Sequence, residues 1–71
     1  MIYFRLNAII QEQGLSQYKL AKMTGIRPNT INDMVHNRTQ RLDLSTLDSL
    51  MHELILMGYT ISDLMEYRKE D

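Results

Sequence analysis

Seventy-one residues, 44 % hydrophobic and 24 % charged, are apolar enough to fold and too few for more than one core, because a chain of this size buries only about 60 % of the surface its unfolded form exposes. With no cysteine, a disulfide framework and a cysteine-ligated metal centre are excluded, and packing must hold the fold, helped by a partner subunit where the core falls short. The net charge of −1 conceals a division: residues 1–42 carry Arg5, Lys19, Lys22, Arg27, Arg38 and Arg41 against Glu12 and Asp33, a balance of +4, while residues 43–71 balance at −5, so a polyanion would meet the first part and avoid the second.

Met1 to Arg5 alternates apolar and polar weakly, as a short strand or the frayed start of a helix would. Leu6, Ile9 and Ile10 then fall at the i, i+3, i+4 spacing of a one-sided helix, which Gly14 ends by taking the left-handed conformation. Ser16 suits the cap of a second helix of about two turns, whose buried stripe is Leu20 and Ala21 and which closes near Thr24. Gly25 follows. A third helix begins at Pro28, whose fixed φ and missing N–H suit the first helical position, with Arg27 held extended just outside it. Leu44, Leu47, Leu50, Met51, Leu54 and Ile55 trace a wide apolar stripe for a fourth helix, capped by Asp43 or Ser45 and stopped by Gly58. Thr60 and Asp63 form a capping-box pattern for a short fifth helix with Ile61, Leu64 and Met65 on its buried face, and the tail from Arg68 to Asp71 is expected to be loose. No strand pattern, repeat or linker stands out. The expected fold is therefore all-α, a compact five-helix bundle in a single domain over residues 1–71, with a core at about 5–67.

Ser16 to Met34 reads S-x-x-x-L-A-x-x-x-G-I-x-x-x-T-I-x-x-M. Ala21 lies where the third helix crosses the second, and a larger side chain would push the two apart. Gly25 occupies a turn that needs a positive φ, and Ile26, Ile31 and Met34 fill the wedge beneath. This stretch resembles the helix-turn-helix of the lambda-repressor and Cro family, the Xre-like regulators of bacteria and phages, and the five-helix order extends the resemblance over most of the chain. It implies a lambda-repressor-like DNA-binding domain with the helix-turn-helix at helices two and three. Three features depart from the family pattern: His36-Asn37 stands where Asn-Gly is frequent, helix four gains most of a turn through Leu56 and Met57, and the second half of the chain is acidic.

On a wheel of 100° per residue, Asn29, Asn32, Asp33 and His36 share one arc of the third helix while Ile31, Met34 and Val35 lie opposite. Amides and a carboxylate are the groups that pair with base edges in the major groove: Asn29 or Asn32 with adenine, Asp33 with cytosine N4, and Arg27 at the helix entrance with guanine. Arg27, Asn29, Asn32, Asp33 and His36 are thus the expected base-reading residues. Thr30, to one side, is a candidate for phosphate. The resemblance implies that Gln17, at the start of helix two, lies against the DNA backbone, where helix N–H groups also favour an anion. It likewise places the family's grip on the strand in the loop of Asn37, Arg38, Gln40 and Arg41. Lys19 and Lys22 are weaker candidates, since their stems serve equally to cover helix two.

His36 and His52 do not match a zinc signature, and neither a glycine-rich phosphate loop nor a nucleophile paired with a base is present. No catalysis, metal, cofactor or small-molecule ligand is expected. No run approaches the roughly 20 apolar residues of a membrane span, and Met1 to Asn7 lacks the features of a signal peptide, so a soluble cytoplasmic protein is expected. Tyr3, Tyr59 and Tyr67 are candidates for a subunit contact. The reading is a sequence-specific transcriptional regulator, a repressor of phage or bacterial type, that inserts helix three into the major groove and binds double-stranded DNA as a homodimer on a palindromic operator. Its rival, motivated by the acidic half, is a protein-interaction module on the same scaffold: an antitoxin, an anti-repressor or an inhibitor of another protein.

Overall fold

The structure, a computed structural model, describes residues 1–69. Its elements run β1 (Ile2–Phe4), α1 (Leu6–Gln13), α2 (Gln17–Thr24), α3 (Pro28–Val35), α4 (Leu44–Leu56), α5 (Ile61–Leu64) and β2 (Met65–Tyr67). One core is built from every helix: Leu6, Ile9 and Ile10 of α1, Leu20 and Ala21 of α2, Ile26 of the following turn, Ile31, Met34 and Val35 of α3, Leu50 and Leu54 of α4, and Leu64 of α5. Among the described residues none that is buried is polar or charged, so apolar burial dominates the interior.

The five helices form where their apolar spacing predicts. The fold is nonetheless not all-α, because β1 and β2 pair antiparallel in the register Ile2 with Tyr67, Tyr3 with Glu66 and Phe4 with Met65. Of the two readings of Met1 to Arg5, the strand is the one adopted. Phe4 and Met65 fall on one side of this ribbon and pack against the core, which is what a three-residue strand needs to persist. Met65, expected on the buried face of the fifth helix, instead belongs to β2, and α5 is a single turn. Arg68, expected to be loose, exchanges two backbone bonds with Met1, at 2.8 and 2.6 Å. Glu70 and Asp71, the rest of that expected tail, lie outside the described residues.

The stripe of α4 is also less buried than its spacing suggests. Leu50 and Leu54 face the core, Leu47 and Met51 lie at its margin, and Leu44 and Ile55 are 82 % and 62 % exposed. Asp43 is the N-cap of α4, and Leu56 belongs to the helix, as the added turn predicts. Gly58, at φ +95°, turns the chain so that the Tyr59 N–H returns to the Leu54 carbonyl at 3.0 Å. Tyr59 then lies against α1, where its hydroxyl donates to the Glu12 carboxylate and accepts from Gln13 at 3.0 Å. The bond to Glu12 holds the phenol above its ordinary pKa.

The capping box at α5 is formed: Thr60 N–H donates to Asp63 Oδ2 at 2.8 Å, and the Asp63 N–H and the threonine side chain complete it. The Thr60 backbone bond, then its hydroxyl, and last the Arg5 guanidinium hold the Asp63 carboxyl below its ordinary pKa. A depressed carboxylate stabilises the fold at pH values above its unfolded pKa of about 4, and that contribution is lost as pH falls through the lower folded value. Asp63→Asn is expected to flatten this acid-side limb in a series of urea midpoints against pH. Truncating a fully buried side chain, Leu54→Ala, is expected to cost about 2 to 5 kcal/mol by urea unfolding.

Candidate nucleic-acid interface

The α2–turn–α3 unit is assembled from short-range signals. Ser16 Oγ accepts from the Lys19 N–H at 3.0 Å and so caps α2, satisfying one of the donors a helix start leaves open. At the other end Thr24 Oγ1 donates to the Leu20 carbonyl at 2.8 Å and accepts from the Ile26 N–H at 3.2 Å. Gly25 sits between them at φ +75°, and a Cβ built there meets nothing within 4 Å. The turn therefore demands the backbone conformation rather than the space. Ala21 is 5 % exposed on α2, which packs against α3, where Ile31 and Met34 are fully buried.

With Ile31, Met34 and Val35 directed inward, α3 presents Asn29 and Asp33 to solvent, and His36 is exposed as its C-cap. Arg27 stands exposed at the N-cap in extended conformation (φ −61°, ψ 139°), with Pro28 beginning the helix. Thr30 is half-buried, between a cleft lined by Arg27, Asp43, Ser45 and Thr46 and another lined by Asp33, Arg38, Gln40 and Arg41. None of the eleven expected contact residues is buried.

Asn32 differs from the other members of its arc. It is half-buried, its Nδ2 donates to Gln17 Oε1 at 2.9 Å, and its Oδ1 accepts from the Arg38 guanidinium at 2.6 Å. Arg38 Nε also lies 3.7 Å from Asp33 Oδ1. One amide thus joins an expected phosphate contact on α2 to another in the loop after α3. An asparagine side chain has two N–H groups and one carbonyl oxygen with two lone pairs, so Asn32 retains half of its bonding capacity and acts first as a brace between its neighbours. This brace is absent from the wheel. Gln17 precedes Ala21 by four residues, hence shares its face toward α3, and that spacing is the signal that could have found it.

After α3 the chain turns at Asn37, which takes φ +56° in the position where glycine is usual. Its side chain does not reach outward as an expected phosphate contact. Asn37 Oδ1 accepts from the Phe4 N–H at 2.6 Å and Nδ2 donates to the Phe4 carbonyl at 3.1 Å. The amide stands on the outer edge of β1 as one peptide group of a third strand would. Arg38, Gln40 and Arg41 are exposed in the loop that follows. Thr39 beside them keeps its Oγ1 buried without a partner. On α2 the Lys22 ammonium lies 5.2 Å from the centre of the exposed Tyr18 ring, so Lys22 is held along its own helix, as its stem suggested. Among the described residues no group of three or more His, Cys, Asp or Glu could hold a metal ion, and no helix is long and apolar enough to cross a membrane.

Comparison with known families adds one finding: a family model described as a Cro/C1-type HTH DNA-binding domain matches residues 5–70. Neither the curated proteins nor the solved structures yield a match.

Asn37→Gly keeps the left-handed turn and removes both bonds to Phe4. The expected outcome is a loss of about 0.5 to 2 kcal/mol in stability, with at least tenfold faster hydrogen exchange at the Phe4 amide and unchanged helical circular dichroism.

Proposed function

The chain belongs to the Cro/C1-type helix-turn-helix DNA-binding family, and on that footing we propose that it is a sequence-specific transcriptional regulator of repressor type that lays α3 in the major groove of its operator. The observation that carries this reading is the two-sidedness of α3: a fully apolar inward face, and an outward face of Asn29, Asp33 and His36 that nothing in the fold covers. Short amides and carboxylates on an exposed helix match base edges. Arg27 at the helix entrance adds a guanidinium suited to guanine. Gln17 and the loop residues Arg38, Gln40 and Arg41 flank that face and supply phosphate contacts, with Asn32 fixing two of them in place before DNA arrives.

A helix of eight residues reads only a few base pairs, so selectivity comes from two copies on half-sites about 34 Å apart. The regulator works by occupying its operator as a homodimer in the cytoplasm, with no catalysis and no small-molecule effector. Asp43 lies in the cleft beside Arg27 and Thr30, while the acidic residues beyond it face away from the duplex.

Binding to random duplex is expected to weaken about 10³-fold between ~50 and ~200 mM salt if a dimer makes on the order of six phosphate contacts, with a slope near −5. Binding that ignores salt would overturn the DNA reading and support a protein-interaction module. Once an operator has been selected from a random pool, Asn29→Ala with Asp33→Ala is expected to abolish preference for it and spare non-specific affinity. Arg38→Ala with Arg41→Ala is expected to weaken all sequences alike and, because both copies of the dimer lose two contacts, to reduce the slope by about 3 to 4.

A further inference from the structure

The two edges of the β-ribbon are treated differently. Met1 and Arg68 exchange backbone bonds, and the Arg5 N–H donates to the Leu64 carbonyl at 2.7 Å. Hydrogen-bonded and non-bonded pairs alternate along an antiparallel ladder, so Tyr3–Glu66 is the bonded pair between them, while Ile2, Phe4, Met65 and Tyr67 point their backbone groups outward. Asn37 occupies the outer edge of β1 at Phe4, and the Met65 N–H is taken by the Ile61 carbonyl. On the outer edge of β2, the N–H and carbonyl of Tyr67 meet no described residue. An open edge of this kind is a template for another strand.

We propose that this edge pairs with the same edge of a second copy of the chain, β2 against β2 in antiparallel register about Tyr67. The proposal deepens the DNA-binding reading, since it names the contact through which two copies share one operator. Tyr67 carries the symmetry of such a pairing. Its outward N–H and carbonyl bond those of the partner's Tyr67, giving two bonds, and the two exposed rings become a cross-strand aromatic pair. In this register Glu66 stands directly opposite the partner's Arg68, and Arg68 opposite the partner's Glu66. Within one chain these two side chains already pair at 2.6 Å on the same side of the strand, with Arg68 over the Tyr3 ring at 4.3 Å. Pairing converts this into a four-member arrangement of alternating sign. A register shifted by one residue toward Glu66 brings two carboxylates face to face instead, and one shifted toward Arg68 brings two guanidinium groups together. Only the register about Tyr67 is complementary.

The geometry suits a divided operator. From the Asn37 amide of one copy to that of the other the order is Asn37, β1, β2, β2, β1, Asn37, and five steps of about 4.8 Å make about 24 Å. The middle of each α3 lies about 8 Å along the helix from its Asn37, so the separation of the two helices falls in a span that includes the half-site repeat of about 34 Å. Two backbone bonds and a charge quartet are a small contact, so the pair forms on adjacent half-sites and, off DNA, at high protein concentration.

The chain has no cysteine, which makes cross-linking a clean test. Tyr67→Cys under mild oxidation is expected to give a disulfide-linked dimer at least tenfold faster than Leu44→Cys, whose site is the most exposed apolar position of α4. In the Tyr67→Cys background, Glu66→Arg and Arg68→Glu are each expected to cross-link at least tenfold more slowly alone, and to recover when the two proteins are mixed. Only opposite charges across the interface recover on mixing; the pair within one chain stays broken in both proteins. Cross-linking at Leu44 as fast as at Tyr67, or no recovery on mixing, overturns the proposal. Because these arms contain no DNA, they stand apart from the function: the expected pattern together with salt-insensitive duplex binding would remove the DNA reading and leave the pairing.

Discussion

Two helices approach closely only where the side chains between them leave room, and everything outward in this fold follows from the packing of α2 against α3, with the small Ala21 buried on α2. Gly25 holds the turn between them in a conformation most residues enter at a cost, and so directs α3 as it leaves that turn. The apolar face of α3 is consumed in this packing. Its polar face is therefore forced outward, and the residues on it are presented by a rigid support rather than by a loop.

Much of this is local chemistry, which explains why it was legible. The Ser16 cap, the Gly25 turn, Pro28 at the helix start and the Thr60–Asp63 box each involve residues within four positions of one another, and each forms as its spacing predicts. The ribbon was not legible, because strands of three residues carry almost no periodic signal and these two pair across nearly the whole chain. Met65 illustrates the difficulty: its spacing continues a helical face and its N–H still bonds the Ile61 carbonyl as in a helix. Only the pairing of its neighbours Leu64 and Glu66 with Arg5 and Tyr3 draws it into a strand. The exposure of Leu44 and Ile55 was hidden for a related reason, since an apolar stripe does not say how much of its width the rest of the molecule can cover.

The candidate site divides in the same way. Which residues of α3 face outward could be read from the helical wheel, and Asn29, Asp33 and His36 lie there. What those residues touch could not. Asn32 reaches fifteen positions back to Gln17 and Asn37 reaches thirty-three back to Phe4. Both are asparagines expected to meet an external ligand, Asn32 from the wheel and Asn37 from the family resemblance, and both also satisfy other parts of the fold. The amide group invites this ambiguity, since it donates and accepts as a peptide does and is matched equally by a base edge, a side chain or a strand.

The Asn37 clamp also bears on the order in which the molecule assembles. Bringing Ile2 to Tyr67 closes a loop that spans almost the entire chain, an entropic cost met only after nearer contacts have formed. The helical core is thus complete before the ribbon closes, and on transient opening the ribbon departs first. Each such opening releases the turn behind α3 from its mooring at Phe4, so the sharpness with which α3 is held varies with a fluctuation at the opposite ends of the sequence.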